Sequence, residues 1–235
     1  SFLKDCLIFK GGTALRKIYF PDFRLSEDLD FTFKGDDFNK DEIKKRFEEL
    51  IEWIGEEARI TMNIQDEAMH QTGNYNFYLG YSGPLGGIRT NKSLKVDIAN
   101  DEILCKDPIE KPVNNEYTDL NDEFKVLSYT LDEIISEKMR SLMQRTMPRD
   151  LYDIWYLLEI ENYEIEECLF DYKKKVEFKK LNPNELTNIV QNKKDRFKRL
   201  WEDNLVNQIK DVPEFKDVWR RLSNHWKKFE KLVNN

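Results

Sequence analysis

The 235 residues allow one large domain or two small ones, and 13% aromatic beside 35% charged side chains describe a folded chain with a sizeable core. A net charge of −7 argues against a nucleic-acid binder as a whole, while leaving room for a local basic face. Cys6, Cys105 and Cys168 form no CxxC clip, His70 and His225 lie far apart, and no apolar run reaches the roughly 20 residues of a membrane span. Free thiols in a cytoplasmic protein are therefore expected, with no zinc site, no membrane segment and no visible signal peptide. The start at Ser1 instead of Met leads us to expect a trimmed chain or a further helix ahead of it.

Leu7-Ile8-Phe9 predicts a short strand that turns at Gly11-Gly12, and Ala14, Leu15 and Ile18 predict a short helix over Thr13–Tyr19. Pro21 and Asp22 end it. Leu29, Phe31 and Phe33 alternate with Asp28, Asp30 and Thr32 as in a strand. Asn39 and Glu42 have capping-box spacing, and Ile43, Phe47, Leu50, Ile51 and Ile54 predict an amphipathic helix to about Ala58. Strands are predicted over Asn76–Tyr81 and Leu94–Ala99, around a Gly/Pro loop over Ser82–Lys92. Pro108 and Pro112 predict loop and edge strand.

Thr130 and Glu133 form a second capping box ahead of a helix with Leu131, Ile134, Ile135, Met139, Leu142 and Met143 on one face, ending near Pro148. RDLYDIWYLLEI opens another helix, with Trp155 and Leu158 expected in its buried face. From about Glu164 the chain reads as helical with lysine-rich surfaces. The fold class is α+β, with a sheet domain over 1–129 and a helical domain over 130–235.

Asp28 and Asp30, two apart on a strand, leave the same face. Two adjacent carboxylates are costly without a cation, and Mg²⁺ takes oxygen ligands while keeping positions for phosphates. Asp97, between Val96 and Ile98 on another strand, is the candidate third metal ligand. Gly11-Gly12 before a helix lets backbone N–H groups approach phosphate oxygens, with Thr13 as a hydroxyl donor and Arg16 one turn on. This is the equipment of phosphoryl or nucleotidyl transfer, without the spacing of a P-loop.

The segment KGGTALRKIYFPDFRLSEDLDF resembles the first motif of the AbiEii/AbiGii-type, MenT-like nucleotidyltransferase toxins of the DNA polymerase β superfamily. The resemblance runs roughly from Ile8 to Leu158 and takes in Asp97 in KVDI, Lys138 in SEKMRSLMQR, and Arg149, Asp150 and Asp153 in RDLYDIW. One position departs from the family's Gly-Ser pair: Gly12 stands second and Thr13 follows. The resemblance implies a minimal nucleotidyltransferase mixed sheet flanked by helices, then a helical half that contributes Lys138 and Arg149-Asp150 to the active site.

It also implies an NTP donor with Mg²⁺, a toxin encoded beside a winged-helix antitoxin, and in some members transfer to tRNA 3′ ends. On this reading Asp28 and Asp30 hold metal, and Asp97 completes the second metal position and helps deprotonate the acceptor hydroxyl. Lys138 neutralises phosphate charge, and Asp150 and Asp153 steady Lys138 or the nucleotide. Ser26 counts with Gly11, Gly12, Thr13 and Arg16 among the nucleotide-binding residues.

Plainer readings stand beside these. Asp28, Asp30 and Asp97 can be solvated strand residues, Lys138 a surface lysine, and Arg149-Asp150 a helix start with Asp as N-cap. The cations Lys173–Lys175, Lys179, Lys180, Lys193, Lys194, Arg196, Lys198 and Arg199 can form a solvated face or contact RNA phosphates. The leading function is RNA nucleotidyl transfer by a toxin. The alternatives are transfer to a small molecule, phosphotransfer to protein or RNA, and a non-catalytic nucleotide- or partner-binding module.

Overall fold

A computed structural model describes residues 2–82, 92–115 and 124–234. All of the predicted loop except its ends, Ser82 and Lys92, lies outside them. The chain packs as two compact units, residues 1–102 with 108–128, and residues 103–107 with 129–235.

The first unit runs α1 (Phe2–Cys6), β1 (Leu7–Lys10), α2 (Gly11–Ala14) continuing into a π-helical turn (Leu15–Tyr19), β2 (Leu29–Phe33), α3 (Lys40–Ala58), β3 (Thr61–Met69), β4 (Tyr75–Ser82), β5 (Lys92–Ala99), β6 (Ile109–Pro112) and β7 (Lys125–Ser128). The described strands form one mixed sheet in the order β3-β4-β5-β2-β1-β7-β6, with β2–β5 and β1–β7 parallel. Proline-bearing β6 is an edge, as a strand lacking an N–H must be.

Register sorts the side chains. Leu7, Phe33, Phe9, Phe31, Ile98 and Tyr75 share one face, with Leu29, Val96 and Phe77 on the next row. Ile43 and Phe47 of α3 pack into this apolar layer, and Ile51 lies against it. Asn39 starts α3 by accepting the N–H groups of Asp41 at 3.0 Å and Glu42 at 3.1 Å, a cap worth about 1 kcal/mol. The Glu42 carboxylate pairs instead with Arg46. Leu50, expected in the buried stripe, is exposed, because Ile43, Phe47 and Ile51 recur every fourth residue and Leu50 falls to the side of that row.

Two further differences have local causes. The glycine pair does not precede the helix as a turn: Gly11 and Gly12 are its first residues, and the left-handed φ of +79° at Gly11 turns the chain out of β1. Strand β3, which the sequence reading did not predict, is an edge: only Met62 and Ile64 alternate against the core, and beyond the bulge between Gln65 and Ala68 its residues are exposed.

The second unit comprises α4 (Leu131–Gln144), α5 (Pro148–Glu159), a 3₁₀ turn (Ile165–Cys168) into α6 (Leu169–Phe178), a 3₁₀ turn (Pro183–Glu185) into α7 (Leu186–Asn192), α8 (Lys194–Leu205) and α9 (Phe215–Val233). Thr130 caps α4 through the N–H of Glu133. Buried Ile134, Ile135, Met139, Leu142 and Met143 place α4 among α5, α6 and α7. Val218, Leu222, Trp226, Phe229 and Val233 recur at helical spacing and bury one face of α9. In α5 the buried face is Leu151, Ile154, Leu157 and Leu158, and Trp155 is only partly covered. All three cysteines are free, and burial pushes the thiol of Cys6 up to about 11 and those of Cys105 and Cys168 to about 12. Among the described residues no helix is long and apolar enough to cross a membrane.

Candidate functional site

In the first unit the site lies on the sheet face opposite α3. Lys10 of β1 pairs with Asp30 of β2, Asp30 with Asp97 of β5, and Asp97 with Asn76 of β4. Residues paired in register project to the same side, so these four side chains form one polar row. Asp28 stands two residues before Asp30, immediately ahead of β2. Lys95, two residues before Asp97, projects from the same face and ion-pairs with Asp97 Oδ2. Partial burial works against the charged form of Lys95, yet the hydrogen bond and charge of Asp97 raise its pKa. As the side chains stand, no group of three or more His, Cys, Asp or Glu residues among those described is assembled to hold a metal ion.

The glycines fit this face closely. A Cβ on Gly11 would collide with the Asp30 carboxylate, approaching its Cγ to 3.0 Å. A Cβ on Gly12 would lie 2.8 Å from Arg24 Nη2 and 2.9 Å from Ser26 Oγ. The backbone of Gly11 thus runs against one carboxylate, and Gly12 against a guanidinium and a hydroxyl. Arg24, which sequence reasoning passed over, is buried. Thr13 and Arg16 have tethering partners in the segment that leads to β2. Thr13 Oγ1 donates to the Asp28 carbonyl at 2.5 Å, and Arg16 Nη1 to the Phe23 carbonyl at 2.5 Å.

In the second unit Lys138 of α4 is only 7% exposed and is no surface lysine. Its Nζ lies 2.6 Å from Asp153 Oδ2 and 3.6 Å from Asp150 Oδ1. Asp153 is wholly buried, and Lys138 supplies a cation to its carboxylate. Asp150 receives Arg145 Nε at 2.8 Å on Oδ2 and Nη2 at 3.1 Å on Oδ1, a bidentate pair. Asp150 is not the N-cap of α5. Met147 takes that position and Pro148 the first helical one, so Asp150 lies in the first turn, where the helix dipole favours an anion. Arg145 was missed because it stands outside any helical period, in the short connection after α4.

Part of the basic cluster is used internally. Lys175 is 1% exposed, donates to the Ile103 carbonyl at 2.8 Å, and lies 3.4 Å from Glu133 and 3.9 Å from Glu137. Lys193 donates to the carbonyls of Leu142, Met143 and Arg145. Neither belongs to a solvated face. Lys194, Arg196, Lys198 and Arg199 of α8 remain exposed.

Comparison with curated proteins gives no match. Among solved structures the fold is similar to JHP933 from Helicobacter pylori, at 18% identity and a TM-score of 0.58 over 99% of this chain and 87% of that one. It is also similar to MenT4, a nucleotidyltransferase toxin from Mycobacterium tuberculosis H37Rv, at 21% identity and a TM-score of 0.50 over 74% of this chain and 58% of that one. The family model for the nucleotidyl transferase AbiEii toxin of type IV toxin-antitoxin systems matches residues 1–235. The chain belongs to this family of nucleotidyltransferase toxins.

Proposed function

We propose that this nucleotidyltransferase moves a nucleoside monophosphate from an NTP to an RNA acceptor such as a tRNA 3′ end, with Mg²⁺. The observation that carries the reading is the register of Asp30 against Asp97 on adjacent parallel strands, with the backbone of Gly11 against Asp30. Asp28, Asp30 and Asp97 supply oxygen donors of the kind a hard divalent cation takes, and both strand carboxylates are partly exposed. Bound Mg²⁺ would supply charge neutralisation on the triphosphate and a more acidic attacking hydroxyl. Lys95 holds Asp97 until then, and its displacement frees the carboxylate.

Asp97 accepts the proton of the acceptor hydroxyl. The N–H groups at Gly11 and Gly12, the Ser26 hydroxyl and the Arg24 guanidinium bind the triphosphate, while Thr13 and Arg16 keep the connecting segment in place. Lys138 neutralises phosphate charge as a point cation, and Asp150 and Asp153 aim its ammonium. The exposed cations of α8 support an RNA acceptor, bound through phosphates. A winged-helix antitoxin is the proposed partner.

The test is incubation with Mg²⁺, total RNA and each α-labelled NTP, beside a protein carrying Asp28→Ala and Asp30→Ala. Label in a tRNA-sized band, with wild type alone, is expected. Label in no RNA, from folded protein that still binds NTP, would shift the reading to a small-molecule acceptor or to phosphotransfer.

A further inference from the structure

We propose that Lys193 is a positioning residue for Lys138, acting through the α4–α5 corner and Arg145; this rests on the catalytic reading of Lys138 and Asp150. Lys193 stands between α7 and α8. An ammonium has three N–H donors. Those of Lys193 meet the carbonyls of Leu142 at 2.7 Å, Met143 at 2.9 Å and Arg145 at 3.2 Å.

The first two acceptors belong to the last turn of α4, where carbonyls lack intrahelical partners and carry the negative end of the dipole. The third belongs to the residue that closes α4 and whose guanidinium grips both oxygens of Asp150. Asp150 in turn faces Lys138, as does Asp153. Arg145 is therefore held at its backbone by one cation while its side chain orders a carboxylate beside another.

A simple helix cap could end at Leu142 and Met143. The bond to the Arg145 carbonyl reaches past the helix, into the connection of extended backbone that leads to Pro148. Removing it frees the direction in which Arg145 leaves α4, and with it the placement of Asp150 and the Lys138 ammonium. Lys193 is partly buried, which lowers its pKa, with Arg196 adding to the effect, and its three donors are spent on the corner.

The experiment compares wild type, Lys193→Met, Lys193→Gln, Arg145→Met and the Lys193→Met/Arg145→Met double variant, each checked for folding by circular dichroism. The first readout is the NMR signal of the Arg145 Nε–H, which the Asp150 pair protects from exchange. Lys193→Met should abolish that protection, and Lys193→Gln, which keeps two amide donors, should restore part of it. The second readout is nucleotidyl transfer. Lys193→Met should lower kcat by roughly 10- to 100-fold, the scale of a displaced reacting group, with KM for RNA unchanged.

The double variant should be no slower than the slower single, because both act on one path. Protection of Arg145 that survives in Lys193→Met would overturn the proposal, as would additive losses or a raised KM for RNA with kcat retained. If wild type transfers no nucleotide, the proposed function fails, and the Arg145 signal still decides whether Lys193 sets this geometry.

Discussion

Gly11 shows how much one position carries. Its φ of +79° suits glycine, and the space a Cβ needs is filled by the Asp30 carboxylate. Gly11→Ala combines both penalties. It should cost roughly 1–3 kcal/mol, the range for a non-glycine residue held in a sparsely populated region, and should displace Asp30. Denaturant unfolding measures the first effect and nucleotidyl transfer the second; an alanine variant of unchanged stability and activity would refute both.

Lys95 is a residue of the opposite kind, satisfying Asp97 with its own ammonium. Lys95→Met leaves Asp97 without that partner. It should lower the Mg²⁺ concentration needed to stabilise the protein against heat, as followed by thermal shift across a Mg²⁺ titration. An unchanged or higher requirement would mean that Lys95 does not compete for the carboxylate. The pair itself is local, since alternation on one strand puts Lys95 and Asp97 on the same face; what LKVDI does not show is that Asp30 stands beside them, because that depends on which strand lies beside which.

At the scale of elements, α4 and α6 are joined by buried charge. Lys175 of α6 faces Glu133 and Glu137 of α4, lies over the Tyr129 ring at 5.0 Å, and binds the Ile103 carbonyl. Glu133 Oε1 accepts the Cys105 N–H at 2.7 Å, so the network also holds residues 103–107 within their unit. Lys175→Met removes the cation and leaves the Glu133 carboxylate buried beside the partly exposed Glu137. A loss of roughly 3–5 kcal/mol is expected, the usual consequence of breaking a buried pair from one side, measured by chemical denaturation. A loss below about 1 kcal/mol, the scale of an exposed pair, would show that the network is solvated.

Much of α4 was visible in advance, because the Thr130 cap and the apolar period are local features. The burial of Lys175 was not. A lysine in KKK reads as solvated until the acids that surround it, from another helix, are placed.

For the whole molecule, acid should relieve the cost of burying a carboxylate. Asp171 is fully buried, and burial raises its pKa above its ordinary 3.8, against the opposing pull of Lys106. The folded state therefore binds a proton that the unfolded state releases. The stabilising contribution of protonated Asp171 is full below pH 3.8 and is lost as pH rises through the higher folded-state value. Asp171→Asn removes this dependence. The stability of wild type relative to the variant should decline from acid towards neutral pH, measured by denaturant melts across that range; a difference that grows with pH would reverse the sign and the argument.

By itself the sequence determined the local grammar of the molecule. Strand alternation around Asp30 and Asp97, the caps of α3 and α4, and the glycine pair beside a carboxylate strand are short-range patterns. Physical chemistry reads them without knowing the fold, and together with the motif order they pointed to the family. Only the tertiary structure decided which charges meet. It set Asp30 against Asp97, brought Arg24 and Ser26 over Gly12, and tied Lys193 to the corner that carries Arg145. Strand order and helix packing join residues far apart in the chain, and charge interactions depend on distance and burial, which a linear sequence does not contain.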